Sequence, residues 1–233
     1  VDRLNSVLDD VLSKVRGVLV KDPAVIAAYE ADQVAGQAAY DRALRKGRVM
    51  RLRKAGVPLM DSAFKVLEDR GVGGFADWEI TSVARRFGLG PRRILVLTGD
   101  LGRGKTTAAA CVAFPRMERG RPGVVYVRER VLAKWLGSYR HDREWDAAIR
   151  CATLIVDELG TAVSPQDQER ARMALLEIVD DRMNNDRKTV LIGNLARADF
   201  DARFDRRMID RLRDIGVFHE DLGASRRRDG GDE

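Results

Sequence analysis

The chain has 233 residues, enough for one good-sized domain and a small appendage, and its 45% hydrophobic content supports a true core. A third of the residues are charged, and the formal net charge of +6 with a pI near 9.6 leans toward a polyanionic partner. No apolar run is long enough to span a membrane, Val1-Asp-Arg-Leu-Asn5 is too polar for a secretory signal, and Cys111 and Cys151 lie in apolar surroundings without zinc-ligand spacing, so a cytoplasmic protein with reduced core thiols and no zinc is expected.

In chain order, Leu4, Val7, Leu8, Val11, Leu12 and Val15 recur at helical spacing and predict an amphipathic helix. Asp22-Pro23 marks a break and a new helix start. From Pro23 to about Arg53 the chain is Ala-rich and free of internal proline. Its later part, Arg42 to Lys54, carries seven basic residues and no acidic one. That pattern is either a solvated helix face or a contact for nucleic acid or an acidic partner. Gly56-Val-Pro58 ends the region. Ser62 to Arg70 is a short predicted helix closed by Gly71-Val-Gly-Gly74. Asp77 to Phe87 is another, with Asp77 as its N-cap and Gly88-Leu-Gly-Pro91 as its break.

Beyond Pro91 the apolar runs become short and strand-like: Ile94–Leu97, Val124–Val127, Thr153–Val156, Val190–Ile192 and Ile215–Phe218. Helical stretches lie between them, notably 166–184, where Ala171, Ala174, Leu175, Ile178 and Val179 share a face. Alternating strands and helices, with near-continuous apolar strands, predict a parallel sheet covered on both sides. The three tryptophans, Trp78, Trp135 and Trp145, read as packing anchors. The tail from Arg226 to Glu233 is expected to fray.

The first strand runs into Gly99-Asp-Leu-Gly-Arg-Gly-Lys-Thr106, which fits the phosphate-loop pattern G-x-x-x-x-G-K-[ST] at every fixed position and precedes a helix. The glycines let backbone N–H groups approach phosphate oxygens, and the helix start adds its unpaired donors and dipole. Gly99, Asp100, Leu101, Gly102, Arg103, Gly104, Lys105, Thr106 and Thr107 are therefore the expected nucleotide-binding set for ATP. Lys105 serves the β- and γ-phosphates, and Thr106 offers its hydroxyl to Mg2+. The run Cys151-Ala-Thr-Leu-Ile-Val-Asp157-Glu158 places Asp157 at the carboxyl end of a buried strand. From there Asp157 can hold Mg2+ and Glu158 can polarise an attacking water as general base. Thr189-Val-Leu-Ile-Gly-Asn194 ends a further strand in an amide able to orient water or sense the γ-phosphate. Arg203, Arg206, Arg207, Arg211 and Arg213 then crowd into eleven residues, with Arg207 and Arg211 on a common helix side beside an apolar face of Met208, Ile209 and Leu212. An arginine here is placed to stabilise charge on a transferring phosphate.

These segments (99–107, 154–160, 190–194 and 207–216), with the lead-in Arg51-Leu-Arg-Lys-Ala-Gly-Val-Pro58, resemble the DnaC/IstB-like branch of AAA+ ATPases. The resemblance implies an α/β AAA+ P-loop fold with a parallel sheet flanked by helices and preceded by a helical N-terminal region. It divides the chain into a partner-binding region over 1–55, an ATPase domain over 56–226 and a tail over 227–233. It implies that Asp157 and Glu158 are the Walker B pair, that Asn194 is the first sensor, that Arg211 acts in a neighbouring subunit's site, and that Arg226 or Arg227 is a second sensor. It also turns the neighbourhood of Arg128-Glu-Arg130 toward a central DNA path.

The implied function is that of an ATP-hydrolysing loader. It would self-associate, bind single-stranded DNA and deliver or remodel a DnaB-type replicative helicase held by its N-terminal helices. Two alternatives stay open: an IstB-type ATPase that binds DNA and regulates a transposase, and a nucleotide-gated interaction module with little turnover.

Overall fold

Four short runs rich in Val, Ile and Leu become strands β1 (Ile94–Gly99), β2 (Val124–Arg128), β3 (Thr153–Leu159) and β4 (Lys188–Gly193), and the pair Val217-Phe218 lies in a fifth, β5 (Gly216–Asp221). In the computed structural model, which describes residues 23–117, 123–136, 141–161, 164–185, 187–204 and 206–221, they form one sheet. The order is β2-β3-β4-β1-β5, and every neighbouring pair is parallel. The predicted stripe from Leu4 to Val15 and the tail from Arg226 lie outside the described residues.

Nine helices are described: α1 (Pro23–Lys54), α2 (Asp61–Arg70), α3 (Glu79–Leu89), α4 (Lys105–Ala113), α5 (Glu129–Trp135), α6 (Asp142–Arg150), α7 (Pro165–Met183), α8 (Arg197–Arg203) and α9 (Arg206–Ile215). Strand alternation sends side chains to two faces, and both are covered. Leu95, Leu97, Ile155, Val190 and Ile192 join Phe64 and Leu67 of α2, Ile80 and Phe87 of α3 and the alanines of α4 in one core. Ile94, Val96, Leu154, Val156 and Leu191 join Leu175, Ile178 and Val179 of α7, Phe200 of α8 and Met208 and Leu212 of α9 in the other. This is the AAA+ P-loop architecture, preceded by a helix.

The chain divides into two units, residues 1–46 and 47–233. In the first, the described residues are the helical turns of α1. In the second, Val49 and Leu52 at the end of α1 are buried with Val57, Phe64 and Leu67. The basic stretch there is partly committed to its own unit. Arg51 Nη1 donates to Met117 O at 2.8 Å, Arg53 pairs with Asp61 at 2.7 Å and lies over the Phe64 ring, and Arg48 lies over Phe114.

Some boundaries differ from the sequence reading. Asp77 is not the cap of α3: Trp78 occupies that position, and no side chain caps the helix. The turn is closed from inside instead, where Thr81 Oγ1 donates to Trp78 O at 2.8 Å and to Phe75 O, and the Phe75 and Trp78 rings pack 5.1 Å apart. Gly88 lies within α3, which runs on to Leu89 because Gly90, not Gly88, takes the C-cap. Ile215 ends α9 rather than starting β5. Strand follows helix at Gly216 without a loop, and a Cβ there would stand 2.6 Å from Leu212 O.

Two buried cations tie the layers together. Arg182, fully buried at the end of α7, donates to the carbonyls of Ala148, Ile149, Cys151 and Lys188 and to Thr189 Oγ1. Lys188 Nζ donates to the carbonyls of Gly90 and Arg92 and sits over the Phe87 ring. Both satisfy carbonyls that helix ends and loops leave open.

Candidate nucleotide site

The site lies at the carboxyl ends of β1, β3 and β4, where the parallel order brings three polar strand ends side by side. β1 closes on Gly99 at φ +118°. A Cβ there would lie 2.2 Å from Asp221 O on β5, so this position requires glycine. The loop then turns through Gly102 and Gly104, and left-handed Gly104 caps α4. Lys105 is buried. Its Nζ donates to Gly99 O at 2.6 Å and Asp100 O at 2.7 Å, so the ammonium is folded back on its own loop. Burial lowers its pKa, against the opposing pull of Asp157, Asp100 and Asp221.

Thr106 Oγ1 stands 3.3 Å from Asp157 Oδ2, joining the loop to the end of β3. Asp157 Oδ1 accepts the Glu158 N–H at 2.7 Å. Glu158 has φ +59°, the one described non-glycine residue with positive φ, and it sits where the β3–β4 register shifts between Val156 and Leu159. That bulge turns Glu158 out of the strand alternation. Asn194 is exposed directly after β4, between the strand of Asp157 and the strand that feeds the loop.

Of the loop residues, Asp100 and Leu101 are exposed, Thr107 is buried and Arg103 is paired with Asp100 at 3.2 Å. Arg211 is not among these groups. It lies on α9, ion-paired to Asp180 of α7 at 2.7 Å. Arg226 lies outside the described residues.

The family model for IstB-like ATP binding proteins matches residues 32–221, the span that contains every one of these described groups. The chain belongs to the IstB-like ATP-binding family. It is accordingly an ATP-binding protein of the AAA+ ATPase type. Among solved structures, the chain is similar to DnaI (19% identity over 66% of this chain and 85% of that one, TM-score 0.49). It is also similar to the DnaC helicase loader (19% identity, 60% and 86%, TM-score 0.43) and to AMPPCP-bound DnaA from Aquifex aeolicus (15% identity, 64% and 45%, TM-score 0.46). The chain spans less than half the length of three replication-initiator structures it matches, the Aquifex DnaA among them. No curated protein matches it.

In this IstB-like protein the end of β2 holds the end of β3, a feature that the motifs themselves did not reveal. Tyr126 OH donates to Asp157 Oδ2 at 2.9 Å, Arg128 Nε lies 3.3 Å from Glu158 Oε1, and Glu129 Oε2 accepts the Gly160 N–H at 2.9 Å. Burial and the neighbouring Asp157 raise the Tyr126 pKa, so the phenol stays a donor. Glu129 is fully buried and also binds Arg203 Nη2 at 2.9 Å, Arg128 turns to Glu158, and Arg130 is exposed. The signal in the sequence was faint: polar residues in and just after an otherwise apolar strand, about thirty residues from the acids they hold.

The donor set suits a hard divalent cation. A hydroxyl and a carboxylate converge beside the Lys105 ammonium, the kind of oxygen donors that Mg2+ takes alongside a triphosphate. No described helix is long and apolar enough to cross a membrane.

Proposed function

We propose that this protein hydrolyses ATP with Mg2+ at a site completed by a second copy, and uses the cycle to load or remodel a DnaB-type helicase on single-stranded DNA. The meeting of Thr106 with Asp157, on the sheet edge that also bears Lys105, Glu158 and Asn194, carries the reading. Lys105 exchanges the carbonyls of Gly99 and Asp100 for the β- and γ-phosphates, trading partial for full negative charge. Thr106 and Asp157 hold the metal, with Tyr126 fixing the carboxylate. Bound Mg2+ neutralises phosphate charge. Glu158 leaves Arg128 and accepts the proton of the attacking water, which Asn194 orients. Arg211 of the second copy stabilises charge on the γ-phosphate, and Arg226 completes phosphate sensing.

The loader role is supported by the resemblance over residues 207–216, the net charge of +6 and the separate unit before Gly47, whose described residues are helical. The match to the IstB-like family favours a second reading, a DNA-binding ATPase that regulates a transposase. One experiment separates them. The full chain and a chain cut after Lys46, each with ATP and Mg2+, are presented with DnaB-type helicase and with single-stranded and duplex DNA. The loader reading expects helicase capture by the full chain only and tighter binding of single-stranded DNA. Duplex preference without helicase capture assigns the transposition role.

A further inference from the structure

Asp180, near the end of α7, serves two arginines of α9 at once. Its Oδ2 lies 2.7 Å from Arg207 Nη2 and its Oδ1 lies 2.7 Å from Arg211 Nη2. The other arginines of this segment have different carboxylates: Arg203 pairs with Glu129, while Arg206 and Arg213 pair with Asp210. Arg207 and Arg211 stand one helical turn apart and repel each other. A single carboxylate between them cancels one of the two charges; it accepts a hydrogen bond from Arg207 at Oδ2 and holds Arg211 at Oδ1 by charge alone.

The two arginines are held at different depths. The Arg207 side chain is 63% exposed and the Arg211 side chain 18%, and Arg211 Nη1 is buried with no hydrogen-bond partner among the described residues. With Asp180 itself largely buried, the pair with Arg211 is better shielded from water than a surface ion pair.

We propose that Asp180 is the positioning residue for the interface arginine. It sets the direction and depth from which Arg211 of one copy approaches the triphosphate of the next, and it keeps Arg207 from taking that place. The role assumes the interface reading of Arg211 proposed above. Asp180 touches no substrate; it acts by removing the search that an unanchored guanidinium would need before each turnover.

The test is steady-state ATP hydrolysis across protein concentration, with ATP affinity measured in parallel. Asp180→Asn should lower the limiting kcat about 10–100-fold and leave ATP affinity within about threefold, because the lost group acts in the neighbour's transition state. Asp180→Glu, which keeps the charge, should recover most of the rate. Mixing decides the matter. Copies carrying Glu158→Gln cannot hydrolyse ATP but retain an intact Asp180–Arg211 pair. Added to Asp180→Asn copies, they should raise turnover about fivefold or more, since an intact arginine then serves an intact site.

Glu158→Gln copies mixed with Arg211→Ala copies supply the reference. If that mixture stays inactive, the interface reading of Arg211 falls, and the role of Asp180 falls with it. If it is rescued while Asp180→Asn turns over at the wild-type rate, faster than wild type, or without rescue, the Asp180 proposal alone is overturned. Should Asp180→Asn fail to fold, the double variant Asp180→Asn/Arg207→Gln, which preserves local charge, carries the same test.

Discussion

Lys105 rests bonded to its own loop: its ammonium holds two carbonyls, and in the proposed site a triphosphate takes their place by offering full negative charge. Lys105→Ala should weaken ATP binding at least about tenfold, the lower end of what a charge-assisted hydrogen bond supplies, as read by fluorescent-nucleotide titration. Tyr126→Phe removes one donor from Asp157 and no bulk. It should fold normally, yet need more Mg2+ for half-maximal turnover, because the freed carboxylate loses its fixed orientation. Glu158 carries backbone strain at φ +59°. Glu158→Gly should raise unfolding free energy by about 1 kcal/mol while abolishing hydrolysis, seen by denaturant titration beside an ATPase assay. At this scale the phosphate loop and the acid pair were legible because each is contiguous and each residue type follows from phosphate chemistry. Tyr126, Arg128 and Glu129 were not legible as holders of Asp157, Glu158 and Gly160, since sheet pairing alone brings β2 against β3. Their role depends on register, which one sequence does not display.

Elements were more legible than their ends. All five strands and the long α7 were readable from apolar runs and from the face shared by Ala171, Ala174, Leu175, Ile178 and Val179. The ends moved where tertiary bonds replaced local caps. Thr81 closes the start of α3 without Asp77, and Ser164, accepting the Asp167 N–H at 3.1 Å, starts α7 one residue before the expected point with Pro165 in its first turn. Arg182 is the largest such replacement and has no local signature, because its acceptors come from α6, the turn after it and β4. Removing it leaves several buried carbonyls open at once. Arg182→Ala should cost about 3–5 kcal/mol, and circular dichroism against urea measures it. The junction between β1 and β5 makes a second element-level demand, since Gly99 faces the Asp221 carbonyl. Gly99→Ala should lose both stability and nucleotide binding, whereas an alanine in the open turn at Gly73 should change neither by much.

Across the whole molecule, the family match and the fold agree on an ATP-binding engine over most of the chain, with the first 46 residues as a separate unit. The division has a practical consequence. Val49 and Leu52 belong to the ATPase core, so a truncation that removes residues through 55 takes core side chains with it, while one ending at Lys46 removes none of the described core residues. The basic balance reads differently once pairings are known. Arg51 and Arg53 of the first helix and the five arginines from 203 to 213 already have partners within the protein, which reduces what remains for phosphate backbones. The central claim is that Lys105, Thr106, Asp157 and Glu158 form one ATP-hydrolysing site. ATP turnover by Glu158→Gln, measured beside its ATP affinity, tests this most directly. The expected result is affinity within about threefold of the wild type with turnover reduced about 100-fold or more, as loss of a general base requires. Turnover within about tenfold of the wild type at equal affinity would contradict it.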